Sequence, residues 1–106
     1  MSIADSIISE IVKRILLVLQ PEMIILFGSA ASERMTKDSD IDLLIVERET
    51  DGLREKRLLV RKKLEGVGYA FDIIIMPRQL FEETKNVIGG IAYPAHKYGK
   101  VIYEIT

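Results

Sequence analysis

The strongest constraint on the fold is an apolar run over residues 43–46, which Asp40-Ile41-Asp42 directly precedes. Apolar residues at every position of the run indicate a β-strand buried on both faces. Because side chains alternate along a strand, Asp40 and Asp42 are expected on one face, with Cα atoms about 6.6 Å apart. Two desolvated carboxylates repel each other unless a positive group lies between them. The pattern therefore predicts a divalent cation held by both aspartates at the open end of the strand.

A glycine turn lies upstream of that strand. Residues 23–27 predict another apolar strand, Gly28-Ser29 follows it directly, and residues 30–34 have helical potential. Glycine lets the backbone approach a phosphate closely, the serine supplies a hydroxyl, and the free amides of a helix start point at the anion. The alternative is a tight turn whose serine caps a helix. Beside a pair of metal-binding aspartates, the phosphate-binding interpretation is favoured.

A third carboxylate supports the metal site. Residues 69–76 form a β-branched apolar run in which Asp72 is the only charge, so they predict a further strand. If this strand lies beside that of Asp42, three carboxylates converge, which is enough to hold two Mg²⁺ ions. The alternative is a strand-end aspartate that caps a backbone amide or pairs with a lysine.

The remaining pattern predicts one α/β (α+β) domain over residues 1–106. Apolar residues at helical spacing predict a first helix over 3–19, with a capping-box pattern at Ser2 and Asp5 and a stop at Pro21. Further along the chain, the spacing and the Gly and Pro positions predict helices over 52–64 and 77–84, a helix ending at 99, and a strand over 101–105.

Composition narrows the class of protein. The chain has 106 residues, of which 48% are hydrophobic, which suffices for a single core. It has no cysteine, no signal-peptide pattern and no long uncharged apolar segment, so a cytoplasmic protein without a membrane span is expected. The basic stretch over 53–64 could form a nucleic-acid-binding face, but the net charge of −1 and the absence of aromatic residues within the stretch argue against direct nucleic-acid binding. A solvated helix face is expected instead. It could also dock an acidic partner.

Gly28-Ser29, ten intervening residues, Asp40-x-Asp42 and the later Asp72 resemble the signature of the polymerase-β-type nucleotidyltransferase superfamily. More narrowly, the chain resembles the minimal nucleotidyltransferases, which act as antitoxins of HEPN-domain toxins. Residues 91–104 are similar to the closing helix, glycine and strand of that family. The resemblance implies a polymerase-β-like fold, with a mixed sheet of about four strands and helices packed on it.

The resemblance also implies roles for single residues. Asp40, Asp42 and Asp72 would be the catalytic carboxylates that ligate Mg²⁺, and Gly28 and Ser29 would hold the nucleotide. Ser39 and Arg34 are further nucleotide-binding candidates. Where many members have an arginine and a glycine after the Gly-Ser pair, this chain has Ser32 and Glu33, so Arg34 or Lys37 would grip the triphosphate instead.

The resemblance implies transfer of AMP from ATP to a hydroxyl, namely a tyrosine of a partner HEPN toxin, within a hetero-oligomer. The alternative is a non-catalytic antitoxin that neutralises its toxin by stoichiometric contact. A small-molecule nucleotidyltransferase is less favoured because the chain lacks room for an acceptor-binding domain. A metal-dependent nuclease leaves Gly28-Ser29 unexplained.

Overall fold

The computed structural model describes residues 3–31, 36 and 38–105. Its elements, in chain order, are α1 (Asp5–Leu16), β1 (Met23–Phe27), a 3₁₀ turn (Gly28–Ala31), β2 (Ile41–Glu47), α2 (Leu53–Lys63), β3 (Phe71–Pro77), α3 (Arg78–Thr84), α4 (Ala92–Tyr98) and β4 (Lys100–Glu104). None of the helices in these ranges has the length and apolar character needed to cross a membrane.

The strands form one mixed sheet in the order β3-β2-β1-β4. β1 is antiparallel to both β2 and β4, whereas β2 and β3 are parallel and are joined by the crossover helix α2. A four-stranded mixed sheet with helices packed on it was predicted, and it is confirmed. The parallel pair places the first residues of β2 and β3 at the same end of the sheet as the last residue of β1.

The sheet is covered on both faces. Leu43 and Ile45 belong to a core cluster that includes residues of α1 and α2, whereas Leu44 and Val46 belong to a second cluster that includes residues of α3 and α4. All four side chains are fully buried. The prediction that this strand is buried on both faces is therefore confirmed, and the physical reason is a helical layer on each side of the sheet.

Element boundaries differ from the predictions mainly in the first helix. It ends at Leu16 instead of 19, because the chain tightens into a turn in which the Leu17 amide donates to the Arg14 carbonyl ahead of Pro21. Ser2, the expected capping residue, lies outside the described residues. The helix predicted from residue 77 begins at Arg78, since Pro77 is extended and belongs to β3.

Gly99 joins α4 to β4 and fixes how closely the two approach β1. A Cβ built there would overlap the Ala95 carbonyl oxygen and would lie 2.7 Å from Ile25 Cγ2 and 3.0 Å from the Leu26 carbonyl oxygen. Gly99→Ala is therefore expected to lower the free energy of unfolding by about 2–3 kcal/mol, because the backbone atoms that a Cβ would meet cannot shift without disturbing the surrounding structure.

The matched control is Gly90→Ala, since nothing lies within 4 Å of a Cβ at that glycine. Urea unfolding of the two variants measures the difference, and we expect the control to stay within about 0.5 kcal/mol of the wild type. Equal stabilities of the two variants would contradict the tight packing at Gly99.

Candidate active site

The candidate site lies where β1 ends and β2 and β3 begin. Asp42 of β2 pairs with Phe27 at the end of β1 and, on its other side, with Asp72 of β3. Since side chains alternate, Asp42 shares a face with Leu44 and Val46, so it opens on the side of the sheet that α3 and α4 cover. Register therefore brings together two carboxylates that lie thirty residues apart in the sequence.

Gly28 packs directly against the Asp42 side chain. A Cβ at Gly28 would overlap Asp42 Oδ2 and would lie 3.2 Å from its Cγ. The backbone at Gly28 also has φ +66°, a left-handed conformation that favours glycine. The glycine turn and the acidic pair, predicted separately from the sequence, therefore form one continuous site.

The carboxylates create a negative field at this end of the sheet. Burial raises the pKa of Asp42, and the neighbouring charges of Asp72 and Asp40 raise this pKa further. Asp42 is half-buried, while Asp40 and Asp72 are exposed. No lysine, arginine or histidine in the described ranges forms an ion pair with any of the three.

This donor set suits a hard divalent cation such as Mg²⁺, which prefers carboxylate oxygens. One observation fits: like charges accumulate around Asp42 without a described counter-ion. Among the described residues, no three His, Cys, Asp or Glu side chains already stand close enough to form a complete metal cage. Asp40 directly precedes the first residue of β2.

Ser39 takes part in a turn immediately before the carboxylates. Its Oγ accepts a hydrogen bond from the Thr36 amide at 3.0 Å and lies 3.1 Å from Thr36 Oγ1, while the Ser39 amide donates to the Thr36 carbonyl. This closed turn leads directly into Asp40. Thr36 was not among the predicted residues, although two hydroxyl residues spaced three apart before a strand are typical of such turns.

The other predicted nucleotide-binding residues lie around the end of β1. Ser29 is half-buried within the 3₁₀ turn beside Gly28. Arg34 and the alternative cation Lys37 lie outside the described residues, as do Ser32 and Glu33. The described structure thus brings together Gly28, Asp42 and Asp72, with Asp40 and Ser29 adjoining them in the chain.

Solved structures with a similar fold include one chain of a toxin–antitoxin complex crystallised with AMP-PNP. It has a TM-score of 0.69 and 18% sequence identity, over 92% of this chain and 73% of that chain. A second similar structure is described as a nucleotidyltransferase from Sulfolobus solfataricus. Its TM-score is 0.62 and its sequence identity 19%, over 93% of this chain and 78% of that chain.

A third similar structure is a complex of a tri-AMPylated Shewanella oneidensis HEPN toxin with an MNT antitoxin. The TM-score is 0.57 and the identity 16%, over 94% of this chain and 71% of that chain. These likenesses show the fold, which is the polymerase-β-like nucleotidyltransferase fold that was predicted. Comparison with curated proteins found no match.

The family model for the nucleotidyltransferase domain matches residues 6–96, a range that spans α1 to α4 and contains Gly28, Asp42 and Asp72. The prediction of a nucleotidyltransferase is thereby confirmed at the level of the family. The chain belongs to the nucleotidyltransferase domain family.

Proposed function

We propose that this protein is a Mg²⁺-dependent nucleotidyltransferase that moves AMP from ATP to a tyrosine hydroxyl of a HEPN toxin and thereby acts as its antitoxin. The observation that carries the proposal is the pairing of Asp42 with Asp72, with Gly28 packed against the Asp42 carboxylate. Two structural neighbours support the finer statement, since one complex contains AMP-PNP and another contains an AMPylated HEPN toxin.

Different residues would bind the triphosphate and hold the metal ion. The Gly28 turn allows the triphosphate to approach the backbone, and Ser29 offers a hydroxyl to it. Asp40, Asp42 and Asp72 would hold Mg²⁺, which when bound stabilises negative charge on the attacking and leaving oxygens. The hydrogen-bonded residues Thr36 and Ser39 lie just before Asp40 in the chain.

The reaction balances as a single displacement at phosphorus. The acceptor oxygen forms a bond to the α-phosphorus of ATP, the bond from this phosphorus to the α,β-bridging oxygen breaks, and pyrophosphate leaves. Asp72 is exposed at the edge strand β3, so an incoming hydroxyl reaches it from solvent. We assign Asp72 as the group that accepts the hydroxyl proton.

The first test is calorimetric titration of the purified protein with a non-hydrolysable ATP analogue, with and without Mg²⁺. Binding that requires the metal and disappears in Asp40→Ala/Asp42→Ala supports the nucleotide site. Absence of binding to the wild type would count against an enzyme and would favour a stoichiometric binder.

The second test uses a co-expressed candidate HEPN toxin and intact-mass spectrometry of that toxin. We expect the toxin to gain the mass of one or more adenylyl groups and to lose activity. With Asp40→Ala/Asp42→Ala, the complex should still form while the mass shift and the neutralisation disappear. Neutralisation that persists in this double variant would establish the non-catalytic alternative.

A further inference from the structure

Strand β3 forms one edge of the sheet and has a neighbouring strand, β2, on its inner side only. Edge strands are templates for pairing with another chain, and proteins usually protect them with lysines, bulges or short length. β3 has seven residues, its register with β2 is continuous, its only charged residue is Asp72, and its only proline is its last residue. The opposite edge, β4, is protected, since it has five residues, a charged residue at each end and an irregular register with β1. The two edges therefore differ in their capacity to accept a further strand.

The outer backbone groups of β3 are available for pairing. The Ile41 amide donates to the Ala70 carbonyl at 2.8 Å, which fixes the phase of the parallel ladder between β2 and β3. In this phase Phe71, Ile73 and Ile75 turn their amides and carbonyls away from β2, while the residues between them bond to it. No turn or loop hydrogen bond among the described residues uses these outward groups. They can therefore bond to an added strand.

The side chains of β3 are also less buried than those of β2. Phe71, Ile74 and Ile75 are half-buried, whereas every apolar residue of β2 is fully buried. Ile74 belongs to the cluster on the α3 and α4 side, and Ile75 to the cluster on the α1 and α2 side, so both faces of the edge are partly open. A strand added beside β3 would cover these side chains and remove apolar area from water.

The same edge borders the candidate active site. Asp72 shares a face with Ile74, on the side of α3 and α4, and pairs with Asp42 on the inner side of β3. In an antiparallel strand added on the outer side, the residue opposite Asp72 occupies a non-hydrogen-bonded position, where side chains approach most closely. A long side chain at this position, or at the diagonal position two residues away, reaches the surroundings of the Asp72 carboxylate.

We propose that β3 binds an extended segment of the acceptor protein as an antiparallel fifth strand, with the acceptor tyrosine on the face of Asp72, opposite or diagonal to it. A polypeptide is the occupant because its backbone matches the alternating N–H and C=O groups of the edge. Apolar residues beside the tyrosine would cover Ile74 and Ile75. The delivery of the tyrosine rests on the proposed function, but the pairing itself does not require catalysis.

The probe for this pairing is a capped seven-residue peptide with a central tyrosine and alternating threonine and valine on either side. Amide hydrogen exchange of the ¹⁵N-labelled protein, followed by NMR with and without excess peptide, reports on pairing directly. We expect the outward amides of Ile73 and Ile75 to exchange about tenfold more slowly or less with the peptide bound. The amide of Ile74 faces β2 and should change little, so it is an internal control.

N-methylated peptides are the matched controls. Methyl groups on the two residues next to the tyrosine remove the N–H groups that would bond to β3, whereas methyl groups two residues from the tyrosine point away from β3. We expect the first peptide to give no protection and the second to protect as the unmodified peptide does.

A protein variant tests the same edge from the other side. Ile75→Pro removes an outward N–H without breaking a bond to β2, which is the place where a strand tolerates proline. We expect the peptide to give no protection of Ile73 in this variant. Slow exchange at Ile74, and binding of Mg²⁺ and the ATP analogue within about twofold of the wild type, would show that the fold and the site remain intact.

The outcomes separate this inference from the proposed function. Protection that persists in Asp40→Ala/Asp42→Ala supports the pairing without any catalysis, and adenylylation of the peptide tyrosine by the wild type supports delivery to the site. Absence of protection, equal protection by the two methylated peptides, or unchanged adenylylation of a HEPN toxin by Ile75→Pro would overturn the pairing and leave the proposed function in place. Protection without adenylylation of peptide or toxin would overturn the proposed function and still support β3 as a docking site.

Discussion

Asp42→Asn is expected to reduce the rate of nucleotidyl transfer by about 10³-fold or more and, at the same time, to raise the melting temperature of the metal-free protein. The two effects have one cause. Burial and the charges of Asp72 and Asp40 raise the pKa of Asp42, so its ionised form is disfavoured in the folded protein. A neutral amide removes this repulsion but cannot supply the charge that a metal ion and a triphosphate require.

The sign of the pH dependence follows from the same shift. The folded pKa of Asp42 lies above the ordinary value of 3.8, so the folded state binds this proton more tightly than the unfolded state does. The contribution of Asp42 to stability is therefore favourable at low pH and decreases as the pH rises from the ordinary pKa through the raised one. Asp42→Asn removes this pH-dependent loss.

Thermal unfolding in EDTA at several pH values measures this effect. At neutral pH we expect the variant to melt roughly 2–4 °C above the wild type, a modest gain because Asp42 is partly solvated. At pH values below about 3 the difference should disappear. The control Asp51→Asn, an exposed residue in the turn before α2, should change neither activity nor this profile. A variant that melts below the wild type would show that the Asp42 charge stabilises the fold.

Gly28→Ala is expected to cost nearly as much activity as Asp42→Asn. The new Cβ would overlap Asp42 Oδ2, so the carboxylate must turn away or the 3₁₀ turn must shift. Rotating a side chain costs less free energy than shifting the backbone, and we therefore expect the Asp42 carboxylate to move. Its movement limits the loss of stability to about 1–2 kcal/mol, but it displaces the group that the chemistry needs.

Gly52→Ala is a closely matched control. Gly52 has φ +69°, nearly the same left-handed conformation as Gly28, but the nearest atom to its Cβ, Glu55 Oε2, lies 3.9 Å away. Both variants incur the backbone strain, which costs about 1 kcal/mol, and only Gly28→Ala meets the carboxylate. Urea unfolding and adenylyl-transfer rates of the two variants separate strain from displacement. Similar adenylyl-transfer rates for the two variants would show that a Cβ at residue 28 does not displace the Asp42 carboxylate.

A double variant tests whether the clash with the Asp42 carboxylate contributes to the loss of stability. Asp42→Ala removes the carboxylate that a Cβ at residue 28 would meet, so Gly28→Ala should destabilise that background less than it destabilises the wild type. Activity should stay lost in the double variant. If the two changes are additive in stability, the clash does not contribute and only the conformation of Gly28 matters.

The candidate site was largely predictable because its signals are local. Asp40-Ile41-Asp42 adjoins an apolar run, and Gly28-Ser29 follows a short apolar strand, so strand period and glycine chemistry identify both parts. Helix ends were less predictable. The apolar spacing continues to Leu19, but α1 ends at Leu16. Leu19 is buried although it lies beyond the end of the helix, so the spacing predicted a longer helix than the structure has. Burial alone does not reveal the local backbone conformation.

The strand that bears Asp42, its burial on both faces, the glycine turn and the family of the chain could all be predicted from the sequence. The pairing of Asp72 with Asp42 and the contact of Gly28 with the Asp42 carboxylate emerge only in the folded chain. The same is true of the ion pair between Lys56 and Glu47, and of the α2 arginines, which have no described ionic partner. The physical reason is that strand register and charge pairing depend on contacts between residues distant in the chain, which local pattern does not encode.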